Sequence, residues 1–165
     1  VLQHTPSFRK SISALVSKVK VNGEIVNDFY PYKGIYTKIN SKYILRPITK
    51  RISKRLLLFL IKRSIPVSLF LFDILNRFKL GVLTRFLPIT DVRGFPKSLT
   101  YKQRLEWAIM DTFDAFSPKY DNPQRLKDVL KMFIDVGCKI NFGGIVKFNG
   151  GSAVVVRAIK TKSKK

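Results

Sequence analysis

The sequence predicts an α/β fold, and three observations carry that expectation. Residues 8–20 hold one apolar stripe at helical spacing, followed by a glycine turn and a strand. The chain closes with two strand-like stretches around Asn149-Gly150-Gly151-Ser152, a hairpin turn signal. Between them lie helical stretches punctuated by prolines. At 165 residues, with 45% hydrophobic and 12% aromatic content, the chain is long and apolar enough to bury a core.

The elements follow in order. Val1-Leu2-Gln3-His4-Thr5-Pro6 reads as a strand end and a turn. In the helix over 8–20, Phe8, Ile12, Leu15, Val16 and Val19 line one side, and proline in the first turn gives the start signal. Gly23 permits a tight turn into a strand over Glu24 to Tyr30. Residues 31–95 read as a helical insert, with an apolar helix over Ile52 to Ile61, an interruption at Pro66, and a second apolar stretch over Val67 to Leu75. The spacing Thr100 to Gln103 is that of a capping box, opening a helix that runs to about Phe113. Asn122-Pro123 starts a further amphipathic helix that Gly137 closes. The last strands are expected at Lys139 to Phe148 and Ala153 to Ile159, with Gly143-Gly144 as a bulge, Gly150-Gly151 as a turn, and 161–165 as a basic tail.

Charge is the extreme feature of the composition. The net charge is +22, and from Phe29 to Thr90 there are 13 Lys/Arg against one acid, Asp73. Such a segment suits nucleic acid, an anionic membrane surface or an anionic substrate. Codon-driven composition is the bland alternative. Tyr32, Tyr36 and Tyr43, interleaved with lysines, could stack on bases. The longest uninterrupted apolar run, Leu56 to Ile61, is six residues, against the roughly 20 that cross a bilayer. A single cysteine, Cys138, excludes an internal disulfide and suits a reducing, cytoplasmic compartment; it reads as a buried small hydrophobe.

Two passages resemble the second half of a class I S-adenosylmethionine-dependent methyltransferase, a doubly wound, Rossmann-like fold. Val1 to Pro6 matches the family's "VL-x-H-T/V-P" at the end of its fourth strand. Val19 to Ile25 matches the lead into its fifth, with Val21-Asn22 where the family prefers Pro-Gly. Within one subset of the family, Glu106 to Pro123 resembles "W-x-h-D-T-F/Y-D-x-h-S/A-P-x-Y-D-x-P", and Leu45 to Lys50 the insert's "L-R-P-I-T-K". The resemblance implies a partial methyltransferase domain over 1–160, with a lid at 31–95 and a final strand inserted antiparallel beside the fifth. It implies S-adenosyl-L-methionine as cofactor and direct in-line methyl transfer to a small-molecule or lipid-linked acceptor. The glycine-rich cofactor loop does not occur in this sequence. The reading therefore expects the cofactor grip on an N-terminal half of the same domain, upstream of residue 1, and a fragment inactive by itself.

The resemblance places Leu2, Gln3, His4 and Thr5 on the rim beside the reactive methyl: Leu2, Gln3 and Thr5 as cofactor contacts and His4 as the general base where one is needed. His4 equally suits a cap on the following helix, so both readings stand. Tyr30 lies at a strand's carboxyl end, where doubly wound sheets bind ligands. Trp107, Asp111 and Asp114 share a helix face and read either as substrate-pocket residues or as surface acids beside a core tryptophan. Tyr120 and Asp121 read as loop anchors. The rival function is a non-catalytic basic module for nucleic acid or an anionic membrane.

Overall fold

The computed structural model describes residues 2–148 and 151–161. It is a mixed α/β structure that divides into two compact units, residues 1–33 with 120–165 and residues 34–119.

The first unit contains a three-stranded sheet with order β1 (Glu24–Phe29), β3 (Gly151–Lys160), β2 (Cys138–Phe148). Both outer strands run antiparallel to β3, so they are parallel to one another, and the last strand among the described residues lies between them. Ile25, Asn27 and Phe29 pair with Ala158, Val156 and Val154 and share one pleat face. Helices α1 (Phe8–Ser17) and α6 (Leu126–Asp135) pack on that face, and Phe8, Ile12, Val16, Val129 and Phe133 fill the core with the strand residues. On the opposite face Glu24 and Arg157 form an exposed bidentate pair. Cys138 is buried in the same core, and burial pushes its thiol pKa up.

The structure corrects several local expectations here. Leu2–His4 is a 3-10 turn rather than a strand end, because the Thr5 N–H and hydroxyl both donate to the Leu2 carbonyl; Val1 lies outside the described residues. Helix α1 stops at Ser17 instead of Lys20. The left-handed residue of the next turn is Asn22 (φ 65°), while Gly23 is required by packing: a Cβ there would sit 2.6 Å from Val19 Cγ1. Similarly, Gly143 is not the bulge, which falls between Ile140 and Phe142; a Cβ on Gly143 would meet Leu130 of α6 at 2.6 Å. Helix α6 starts at Leu126 rather than at Pro123, since residues 122–124 are drawn into backbone pairing elsewhere. Asn149 and Gly150 of the expected hairpin turn, and the tail from residue 162, lie outside the described residues, but Phe148 and Gly151 pair as the turn requires.

The second unit is helical: α2 (Ile35–Lys38), α3 (Ser41–Thr49), α4 (Lys54–Arg77), a 3-10 segment Gly81–Phe86, and α5 (Tyr101–Phe116). It takes in α5, which lies beyond the 31–95 insert of the sequence reading. Helix α4 runs through Pro66 unbroken, contrary to the two-helix expectation. A mid-helix proline costs about 3 kcal/mol. Leu57, Ile61, Ile65, Leu69 and Phe72, buried on one stripe either side of it, bury enough apolar area against Ala108 and Phe116 of α5 to exceed that. Thr100 and Gln103 form the expected reciprocal capping box.

Candidate functional site

In the first unit three segments distant in sequence meet at the carboxyl end of β1. Residues 2–5 are tied to the loop 120–124 by two bonds: the Asn122 N–H donates to Gln3 O at 2.8 Å, and Asn122 Nδ2 donates to Thr5 O at 2.8 Å. That loop also runs parallel beside the exit of β1, with Gln124 N–H donating to Tyr30 O and Tyr32 N–H to Gln124 O.

His4 sits where they converge. Its Nδ1 lies 3.1 Å from the Tyr120 carbonyl oxygen, which can only accept, so Nδ1 carries the proton. The neutral ring then presents its lone pair on Nε2. That nitrogen is buried, with no protein hydrogen-bond partner among the described residues. The Asp121 carboxylate lies 3.8 Å from Nδ1, its side chain fully buried. Tyr30 meets the imidazole edge-on, ring centroids 6.1 Å apart, and is 45% exposed. A buried ring nitrogen free to accept, beside an exposed phenol at a strand's carboxyl end, is an arrangement that can take a proton from a bound ligand.

The other rim residues serve the loop itself. Gln3 is buried; Leu2 packs against the core; Thr5 donates to Leu2 O and accepts from Ser11 Oγ at 2.8 Å. His4 does not cap α1, a role taken by Ser7, whose Oγ accepts from Lys10 N. Sequence reasoning passed over Tyr120, Asp121 and Asn122 as cluster members. The local signals, the P-x-Y-D-x-P pattern and the loop-anchor reading of Tyr120 and Asp121, did not join them to His4, which lies more than a hundred residues away.

Trp107, Asp111 and Asp114 belong to the second unit and share one face of α5. Trp107 stacks on Phe95 at 4.7 Å and hydrogen-bonds Asp111. Desolvation raises the Asp111 pKa, the Trp107 bond opposes this, and the Asp114 charge adds to it. The folded state therefore binds the Asp111 proton more tightly than the unfolded chain, whose value is near 3.8. This group's contribution to stability is full below that pH and is lost as pH rises through the folded value. Asp111→Asn is expected to raise the urea midpoint at pH 7 and leave it unchanged near pH 3, read by fluorescence of the sole tryptophan, Trp107. An equal shift at both pH values would show that the carboxyl charge is not the cause.

The same unit has a cleft of about 510 Å³ between α4, α5 and the 92–99 loop. Its arginines are engaged: Arg104 binds Asp73 of α4 in a fork at 2.7 and 2.5 Å, and Arg93 pairs with Asp91. The tyrosines read as base-stacking candidates hold the protein's own cations. Arg85 lies over Tyr36, Lys42 over Tyr43 and Arg125 over Tyr32, all within 5.4 Å.

Compared with protein-family models, curated proteins and solved structures, the chain matches none.

Proposed function

We propose that this chain forms the carboxyl-terminal part of a class I S-adenosylmethionine-dependent methyltransferase acting on a small-molecule or lipid-linked acceptor, with His4 as the general base. The observation that carries the reading is the sheet order: a final strand antiparallel between two strands that are parallel to one another. This is how the family's otherwise parallel sheet ends, beside its fifth strand. The antiparallel terminal insertion also distinguishes it from an ordinary dinucleotide-binding sheet, which would add another parallel crossover.

The residues at the end of β1 fit the cofactor's reactive end. Tyr30 is 45% exposed, and His4 Nε2 is a buried acceptor with no protein donor among the described residues. When bound, S-adenosylmethionine supplies an electrophilic methyl on a sulfonium that leaves as a neutral thioether. The Tyr120 carbonyl holds the proton on His4 Nδ1 and so leaves the lone pair on the buried Nε2. His4 Nε2 then takes the proton that the acceptor loses as it is methylated. Alignment of nucleophile, methyl and sulfur supplies much of the remaining rate.

A rim without the glycine loop offers few contacts, so an affinity of about 1 mM or weaker is expected. Titration of isotope-labelled protein with S-adenosylmethionine, followed by NMR, tests this. Shifts should appear first at Gln3, His4, Thr5 and Tyr30, and His4→Ala should remove them. Signals that stay unmoved at about 20 mM cofactor overturn the proposal, and micromolar affinity overturns the idea that the grip lies elsewhere.

A further inference from the structure

Helix α4 is apolar on two opposite faces. One stripe, Leu57, Ile61, Ile65, Leu69 and Phe72, is buried. The other is two clusters one heptad-like step apart, Leu56, Phe59 and Leu60, then Val67, Phe70 and Leu71, on one helix face and exposed to solvent. Phe59 is 54%, Val67 61% and Phe70 64% exposed. Just past the helix, Phe78 and Val82 are more exposed still, at 68% and 73%. An exposed apolar stripe of this kind, interrupted at mid-helix by Arg63, marks an interaction surface.

The charges around the stripe identify the occupant. From Lys50 to Arg63 there are six Lys/Arg and no acid, and Lys79 and Arg85 flank the other end. The only acid of α4, Asp73, is held by Arg104. Arg63 lies within the stripe with its guanidinium 5.4 Å from the Phe59 ring centre, on a stem long enough to reach upward to a phosphate. We infer that this face of α4 docks in the plane of an anionic membrane surface, its Phe and Leu side chains in the acyl boundary and its Lys and Arg among the lipid phosphates.

Other geometries fit less well. The helix is about 36 Å long, enough to cross a bilayer by length alone. Yet no helix among the described residues is long and apolar enough to span, and Lys62-Arg63 at mid-helix would each cost about 3 kcal/mol at the bilayer centre. Nucleic acid would pair the cations but leave Leu56, Leu60, Val67 and Leu71 in water. A protein partner would need acids matched to each scattered cation around an apolar centre, whereas lipid phosphates supply a negative charge at every position. The inference rests on the second unit alone and does not depend on the methyl-transfer reading.

The test is co-sedimentation of the full chain with vesicles of phosphatidylcholine alone or mixed with phosphatidylglycerol. Binding to the anionic vesicles should exceed binding to neutral ones by about tenfold or more. The triple variant Phe59→Ser, Val67→Ser, Phe70→Ser should lose about tenfold or more of it, since three exposed side chains no longer enter the acyl boundary. Trp107 fluorescence verifies that the variant keeps its fold. Lys54→Ser with Lys62→Ser should weaken binding and flatten its salt dependence. Anionic-vesicle binding that the triple variant retains overturns the proposal, because charge alone then suffices. So does absence of vesicle binding, whether accompanied by RNA binding in a gel shift or by a dimer in sedimentation velocity that the triple variant dissociates.

Discussion

Replacing Phe133 by alanine is expected to cost about 3–5 kcal/mol, a large part of the 5–15 kcal/mol that holds a typical domain folded. Phe133 is fully buried on α6 and belongs to the core in which α1, α6, β1 and β3 meet. Truncation removes an aromatic ring from the point where two helices and the sheet converge. The cavity cannot collapse from one side, because Ile12, Val129, Val156 and Ala158 around it are themselves without exposed area. Hydrogen exchange should show the loss as reduced protection of the β3 amides from Val154 to Ala158. Protection within tenfold of the parent protein, equivalent to about 1.4 kcal/mol, would show that this core is not the one that determines the unit's stability.

Arg46→Ala should have the next largest effect, about 2–3 kcal/mol. Arg46 is buried, and its guanidinium donates to Ala115 O at 3.3 Å and Pro118 O at 2.9 Å, at the carboxyl end of α5. Thr49 of the same helix donates to Phe116 O at 3.2 Å. Terminal carbonyls of a helix have no partner within it and carry the negative end of its dipole, so a buried cation there satisfies both needs. Removing it leaves two carbonyl groups under-satisfied where water enters poorly. Arg46→Lys keeps the charge but loses the planar fork, and should recover less than half of the loss. Urea unfolding followed through Trp107, which reports on this unit, measures both variants. Full recovery by lysine would mean that charge near the helix end, not the two directed bonds, is what matters.

Much of the local structure was legible in particular residues. The stripe Phe8, Ile12, Val16 announces α1, the pair Thr100 and Gln103 announces the start of α5, and the Asn149-Gly150-Gly151-Ser152 turn signal announces the antiparallel pair. These features depend on neighbours within four residues, which sequence displays directly. Pro66 misled because its penalty is local and visible while the compensating burial of Ile61, Ile65 and Leu69 on α5 is not. Gly143 misled for the same reason: its lack of a Cβ answers Leu130 on a packed helix rather than a bend in its own strand.

The candidate site divides the same way. Sequence alone determined that His4 stands at a turn before α1, that a strand ends within a residue of Tyr30, that Leu45 to Lys50 and Glu106 to Pro123 are distinctive passages, and that residues 52–75 are apolar stretches flanked by cations. Only tertiary structure decided that His4 meets Tyr120, Asp121 and Tyr30, that Arg46 from the first passage closes the helix end formed by the second, and that one face of α4 stays in solvent. The physical reason is separation along the chain. Helix periodicity and caps are settled by bonds between near neighbours, whereas a proton's position on an imidazole depends on a carbonyl brought alongside from more than a hundred residues away.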